Sequence, residues 1–147
     1  MIVFAKWTDP TSLPPQAAPL LSEAVAGGFS WIARLEQAWR ERPFLGTGEG
    51  LFLANEGSAL LGIAAITRDP YLNNPAIGRL RFVYVREAAR GRGLGDQLVE
   101  HCLALAAGNW QTLRLHTENE TAARIYERRG FLRSTADPHA THLLSCG

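Results

Sequence analysis

Lysine is nearly missing from this chain: Lys6 is the only one, and the other fourteen basic residues are arginine. Cysteine is scarce too. Cys102 and Cys146 cannot make the dense disulfide framework of a small secreted scaffold, so the core must hold the fold. There is no excess of either charge. Fifteen basic against fourteen acidic residues leave +1, which excludes a histone-like protein and an acidic tail. The longest apolar run, Ala59 to Ile66, is eight residues broken by Gly62, far short of the roughly 20 a membrane-spanning helix needs. Met1 to Trp7 has no basic region ahead of an apolar one, so no secretory leader is expected, and a cytoplasmic setting is. A basic stripe with interleaved aromatics is lacking, which argues against a nucleic-acid partner.

What is present fits one globular domain over residues 1–147, with 46% hydrophobic and 20% charged residues. The charge is uneven. Residues 1–77 carry −2 and residues 78–147 carry +3. Arginine suits bidentate contact with phosphate, so the basic half hints at an anionic ligand.

Ile2 to Trp7 reads as a strand ended by Asp9-Pro10. Thr11-Ser12 as cap and Pro14-Pro15 in a first turn predict a helix to about Ala26, stopped by Gly27-Gly28. Ser30 is expected to cap a second helix, with Ile32, Leu35 and Trp39 at helical spacing. Leu51–Asn55 and Ala59–Arg68 flank a hairpin turn. Arg79 to Arg86 alternates Leu80, Phe82 and Tyr84 against Arg81, Val83 and Val85, as a central strand covered on both faces would. A helical stripe from Leu94 to Ala106 follows, then a strand at Thr112–Thr117 and a helix at Glu120–Arg129 closed by Gly130. A final hairpin turns at Asp137-Pro138. The expected fold is a mixed α/β sheet with helices on both faces.

Chemistry concentrates between Val83 and Gly95. A central strand ends there, and Gly91, Gly93 and Gly95 lead into a helix, flanked by Arg90 and Arg92. Unpaired N–H groups at a helix start, on the positive end of its dipole, form a phosphate cradle. A Walker A loop would end in Gly-Lys-Ser/Thr, but here Gly95 precedes Asp96-Gln97. The glycine spacing also departs from the dinucleotide fingerprint G-x-G-x-x-G. It does meet R-x-x-G-x-G at Arg90, Gly93 and Gly95. This resembles the acetyl-CoA-binding motif of the GNAT N-acetyltransferases. Asn119 to Phe131, with Ala122, Tyr126, Glu127 and Gly130, is similar to that family's second signature, N-x-x-A-x-x-x-Y-E-x-x-G-F. The resemblance covers nearly the whole chain, strongest over residues 79–131.

The resemblance implies a mostly antiparallel twisted sheet whose fourth and fifth strands splay apart. It also implies acetyl transfer from acetyl-CoA to an amine by direct attack. The pantetheine arm would pair with the backbone of Val83, Tyr84 and Val85. The pyrophosphate would sit on the N–H groups of Arg90, Gly91, Arg92, Gly93, Leu94 and Gly95, with Asp96 beginning the helix. The Val83 N–H would polarise the thioester carbonyl, and Tyr126 would protonate the leaving thiolate. Asn119 would either cap its helix or bond the pantetheine arm. Ala122 and Ala123 leave room for the cofactor.

The base stays open among His116, Glu118, Tyr84 and water. His116 suits proton relay by its ordinary pKa, and Arg114, His116 and Glu118 are expected on one face of the fifth strand. His139 and His142 lack a ligand cluster, so no metal is expected. The resemblance assigns acceptor contacts to the N-terminal helices, the loop before the fourth strand and the last hairpin. Phe29, Trp31, Tyr71, Asn73, Asn74 and His142 stand there. Few acids accompany them, which fits a small amine or amino-acid-like acceptor rather than a polycation. The alternatives are a protein amine as acceptor, or a non-catalytic acyl-CoA-binding regulatory module. A monomer or homodimer is expected.

Overall fold

A computed structural model describes residues 1–146. It contains seven strands, β1 (Ile2–Trp7), β2 (Gly50–Glu56), β3 (Ala59–Arg68), β4 (Ile77–Val85), β5 (Thr112–Leu115), β6 (Leu132–Asp137) and β7 (Ala140–Ser145). The helices are α1 (Ala17–Ala26), α2 (Arg34–Glu41), α3 (Leu94–Ala106) and α4 (Glu120–Arg128). The strands form one sheet ordered β1-β2-β3-β4-β5-β7-β6. Among the described residues only the β4–β5 pair is parallel, with α3 as its crossover.

Two apolar layers sandwich the sheet. On one face α1, α2 and the 3-10 turn between them bury Leu20, Ile32, Leu35 and Trp39 against Leu53, Ile63, Phe82 and Tyr84. On the other, α3 and α4 bury Leu98, Val99, Cys102 and Tyr126 against Ile66, Leu80 and Leu113. β4 touches both layers, as its double apolar pattern predicts.

Local chemistry moved some boundaries. The first helix starts at Ala17 rather than near Ser12, because a proline disfavours helical conformation in the residue before it, and Pro14 precedes Pro15. Asp9 instead accepts both the N–H and the hydroxyl of Thr11, closing a turn. Ser30 begins a 3-10 turn to Ala33 that runs into α2 rather than capping a single helix.

Gly78 sets how closely the helix side approaches the start of β4. A Cβ there would stand 2.7 Å from a ring carbon of Trp110 and 2.9 Å from Leu113. Gly78 also pairs with Leu113 in the short β4–β5 ladder. Gly78→Ala should therefore cost about 1–3 kcal/mol through overpacking, read as a lower urea midpoint. An unchanged midpoint would show that Trp110 yields freely.

Candidate active site

The β4–β5 ladder holds only Ile77–Thr112, Gly78–Leu113 and Arg79–Arg114. β4 then runs on to Val85 without β5, which stays paired to β7. This is the splay. Beside it β4 carries a bulge. Arg81 pairs Ala65 and Tyr84 pairs Ile63, so Phe82 and Val83 together oppose Ala64. Phe82 has φ 54, the only positive value outside glycine among the described residues. Such a backbone costs roughly 1–3 kcal/mol and is held here by stacking on Phe44 at 6.2 Å.

The bulge breaks the strand alternation expected from sequence. Leu80 faces α3, while Phe82 and Tyr84 face α1. It also sorts the backbone. Arg86 N–H donates to Leu61 O, and a side chain at Gly62 would meet Tyr84 O at 3.2 Å. The Tyr84 backbone therefore points to β3. By alternation the N–H and C=O groups of Val83 and Val85 point into the opening. Of the three residues expected to pair with pantetheine, Tyr84 is the one whose backbone is turned away. Val85 O already accepts from Arg90 Nε at 3.0 Å.

Past β4, Gly91 and Gly93 take φ of 81 and 75, which glycine adopts without a side-chain penalty. Gly93 caps α3, and Gln97 N–H is bonded to Gly93 O. Leu94, Gly95 and Asp96 thus supply first-turn N–H groups with no partner in the helix. The two expected arginines are engaged elsewhere. Arg90 folds back over the Tyr84 and Phe29 rings, and Arg92 pairs with Glu56 at 3.1 Å. An anion at this loop would meet backbone N–H groups rather than a free guanidinium. The Asp96 side chain binds Arg129 at 3.0 and 2.9 Å, and those bonds hold its carboxyl below the usual range.

On α4, Asn119 caps the helix by accepting from Ala122 N–H at 3.0 Å. Its amide nitrogen is not used in that bond. Ala123 and Tyr126 are buried on the inner helix face. Burial, then neighbouring Cys102, pushes the Tyr126 phenol well above its ordinary pKa. No hydrogen bond to the Tyr126 hydroxyl comes from the described residues, and that oxygen is not among their sealed, orphaned polar atoms. Tyr126 is a protonated phenol with a donor to spare.

The base candidates separate. β5 ends at Leu115, so His116 and Glu118 lie beyond the strand and share no face with Arg114. Arg114 is buried, 2.8 Å from Asp69 and 3.0 Å from Asp137. His116 is 40% exposed and 3.6 Å from the exposed Glu118 carboxylate. Tyr84 donates its hydroxyl to Glu23 at 2.7 Å. Burial and that bond raise its pKa, which disqualifies it as a base.

The expected acceptor residues do not meet in one place. Phe29 packs on Tyr84 and Trp31 on Phe29, near the end of β4. Tyr71 sits near its start, covering Arg79 and stacked on His139 at 4.0 Å. Five residues of strand, about 16 Å, separate the groups. Asn74 Oδ1 closes a turn by accepting from Ala76 N–H. His142 offers nothing to an acceptor: it is fully buried behind Tyr126, held by Glu127 and Thr141 at 2.9 Å each. His139, on the other side of the sheet, is the hairpin histidine that reaches the loop before β4. The sequence pattern assigns no role to Arg79, Arg81 or Arg114, although all three stand beside the point where β4 and β5 part.

Residues 47–133 match the family model of the acetyltransferase (GNAT) domain. The mycothiol acetyltransferase of Mycobacteroides abscessus is 40% identical over 93 residues, 60% of this chain and 31% of that protein. Matches to the first curated relatives cover only 37% and 31% of their length. A crystal structure from Exiguobacterium sp. 255-15, named as a candidate acetyltransferase, superposes with TM-score 0.86 at 26% identity, covering 99% of this chain and 93% of that one. An acetyltransferase-like structure from Salmonella typhimurium, solved with its cofactor acetyl-CoA, gives TM-score 0.72 at 16% identity over 100% and 95%.

Proposed function

The chain belongs to the GNAT acetyltransferase family, and from that premise we propose that it moves an acetyl group from acetyl-CoA to a primary amine of a small or amino-acid-like acceptor. The observation that carries this reading is the joint placement of the splayed β4 edge, the α3 cradle and the uncommitted Tyr126 hydroxyl. Val83 and Val85 present edge groups on which an extended pantetheine arm can add as a strand. The first-turn N–H groups at Leu94, Gly95 and Asp96 receive the pyrophosphate, and the positive φ of Gly91 and Gly93 aims the loop. Asn119 caps α4 with its oxygen and turns its amide N–H toward the arm.

The amine nitrogen attacks the thioester carbon. The carbonyl electron pair moves to oxygen, where the Val83 N–H stabilises it. When the pair returns, the C–S bond breaks and the sulfur takes a proton from Tyr126, while the attacking nitrogen gives up its remaining extra proton, which passes through solvent to restore the Tyr126 phenol, leaving an amide and free CoA. An alkyl ammonium is protonated at neutral pH, so it must lose a proton before attack. Water at the mouth accepts it, and exposed His116 beside Glu118 relays it outward. The setting proposed is the cytoplasm, for a monomer or homodimer; no helix among the described residues is long and apolar enough to cross a membrane.

Free-thiol release from acetyl-CoA across an amine panel, with CoA binding measured in parallel, tests this. Turnover on at least one small amine is expected. CoA binding without turnover on any amine would mean a regulatory acyl-CoA module, and turnover on protein amines alone would move the acceptor class.

A further inference from the structure

Around the start of β4, on the sheet face that carries α1 and α2, each guanidinium but one meets a carboxylate. Arg42 pairs with Glu49, Arg79 with Asp69, and Arg114 with Asp69 and Asp137. Arg81 has no ion-pair partner among the described residues. Its guanidinium lies 4.7 Å over the Phe82 ring and 5.8 Å from that of Phe44, with only a long 3.5 Å contact to the Thr67 hydroxyl. The two rings and the strand thus fix its plane while its N–H fork stays uncommitted.

Its place is specific. Arg79 forms the last β4–β5 pair, so Arg81, two residues on and on the same face, stands where the opening begins. Val83 follows after two more residues, about 7 Å along the strand. We propose that Arg81 receives an anionic group of the acceptor, a carboxylate a few bonds from the attacking amine. This deepens the acetyl-transfer reading and rests on it. A planar fork matches a carboxylate bidentately, and a site walled by Phe44 and Phe82 strengthens the bond by excluding water. Burial, then the facing Arg79, lowers the Arg81 pKa against the opposing pull of Asp69, with Arg42 adding to the repulsion. An arriving anion relieves that unfavourable charge. A polycationic acceptor would meet the same charge as repulsion.

The test compares amino acids with their own carboxamides as acceptors, by kcat/KM. The wild type should prefer the carboxylate by about 10- to 100-fold. Arg81→Met, which keeps the apolar stem on the two rings, should bring that ratio near one. Arg81→Lys keeps the charge without the fork and should fall between. A thermal melt checks that each variant folds, and the wild-type ratio stands even where one does not. No preference in the wild type, or a full preference retained in folded Arg81→Met, would overturn the inference. A phosphate-bearing amine favoured over every carboxylate would do the same. Should the wild type transfer to no amine, acetyl transfer fails by itself. Calorimetric titration of the same acid–amide pairs into the CoA complex then decides: acid-selective binding lost in Arg81→Met supports the anion site, and equal or absent binding refutes it.

Discussion

Tyr126→Phe is expected to lower kcat by about 10²- to 10³-fold while leaving CoA affinity essentially unchanged. The expectation rests on what the phenol does not do. Its ring is packed between Phe131 and His142, with centroids at 6.0 and 6.5 Å, so phenylalanine can fill the same space. Its hydroxyl makes no bond within the described fold, so its removal orphans no partner and stability should hold. What the proposed mechanism would lose is its donor to the departing sulfur. The burial that raises this phenol's pKa would also raise that of a thiol placed beside it, so on the proposed reading the two shift in the same direction. A raised phenol pKa also means that ionisation of Tyr126 produces no alkaline limb below about pH 10. Unchanged turnover in Tyr126→Phe, or an equal fall in CoA affinity, would remove Tyr126 from the chemistry. Assays at saturating amine separate the two.

Both signature blocks were legible in the sequence because their chemistry is local. A glycine loop before a helix and an Asn cap before an amphipathic helix depend on nearest neighbours. The bulge was not legible, since nothing in the string around Phe82 marks a positive φ, and a one-residue bulge inverts every face assignment beyond it. His142 looked like an acceptor contact until the register set it opposite Leu115 and turned it toward α4. His116 looked like a strand residue because apolar alternation does not say where β5 lets go. The fates of Arg90, Arg92 and the arginines of β4 depend on carboxylates and carbonyls distant in sequence, and no local pattern carries them.

Those distant pairings make Asp69→Asn the other large effect: a loss of about 3–5 kcal/mol is expected. Asp69 is fully buried, its Oδ2 lying 2.8 Å from Arg114 and 3.4 Å from Arg79. Arg79 and Arg114 are direct partners in the parallel ladder, so two guanidiniums stand side by side on the last rung before the splay. Asp69 is the only carboxylate among the described residues that pairs with both. Asparagine keeps the shape, and its oxygen can still accept from Tyr71 N–H, so the turn that Asp69 closes should survive. The change therefore isolates charge. It leaves two buried cations with Asp137 alone to answer Arg114, and their repulsion acts along the line that separates β4 from β5. Against a total stability of about 5–15 kcal/mol, the thermal midpoint should fall by roughly 10 °C. Adding Arg114→Met to Asp69→Asn should recover part of the loss, because it removes one of the stranded charges. A single variant within about 1 kcal/mol of wild type, or a double variant no better than the single, would show that water or a backbone shift already neutralises this rung.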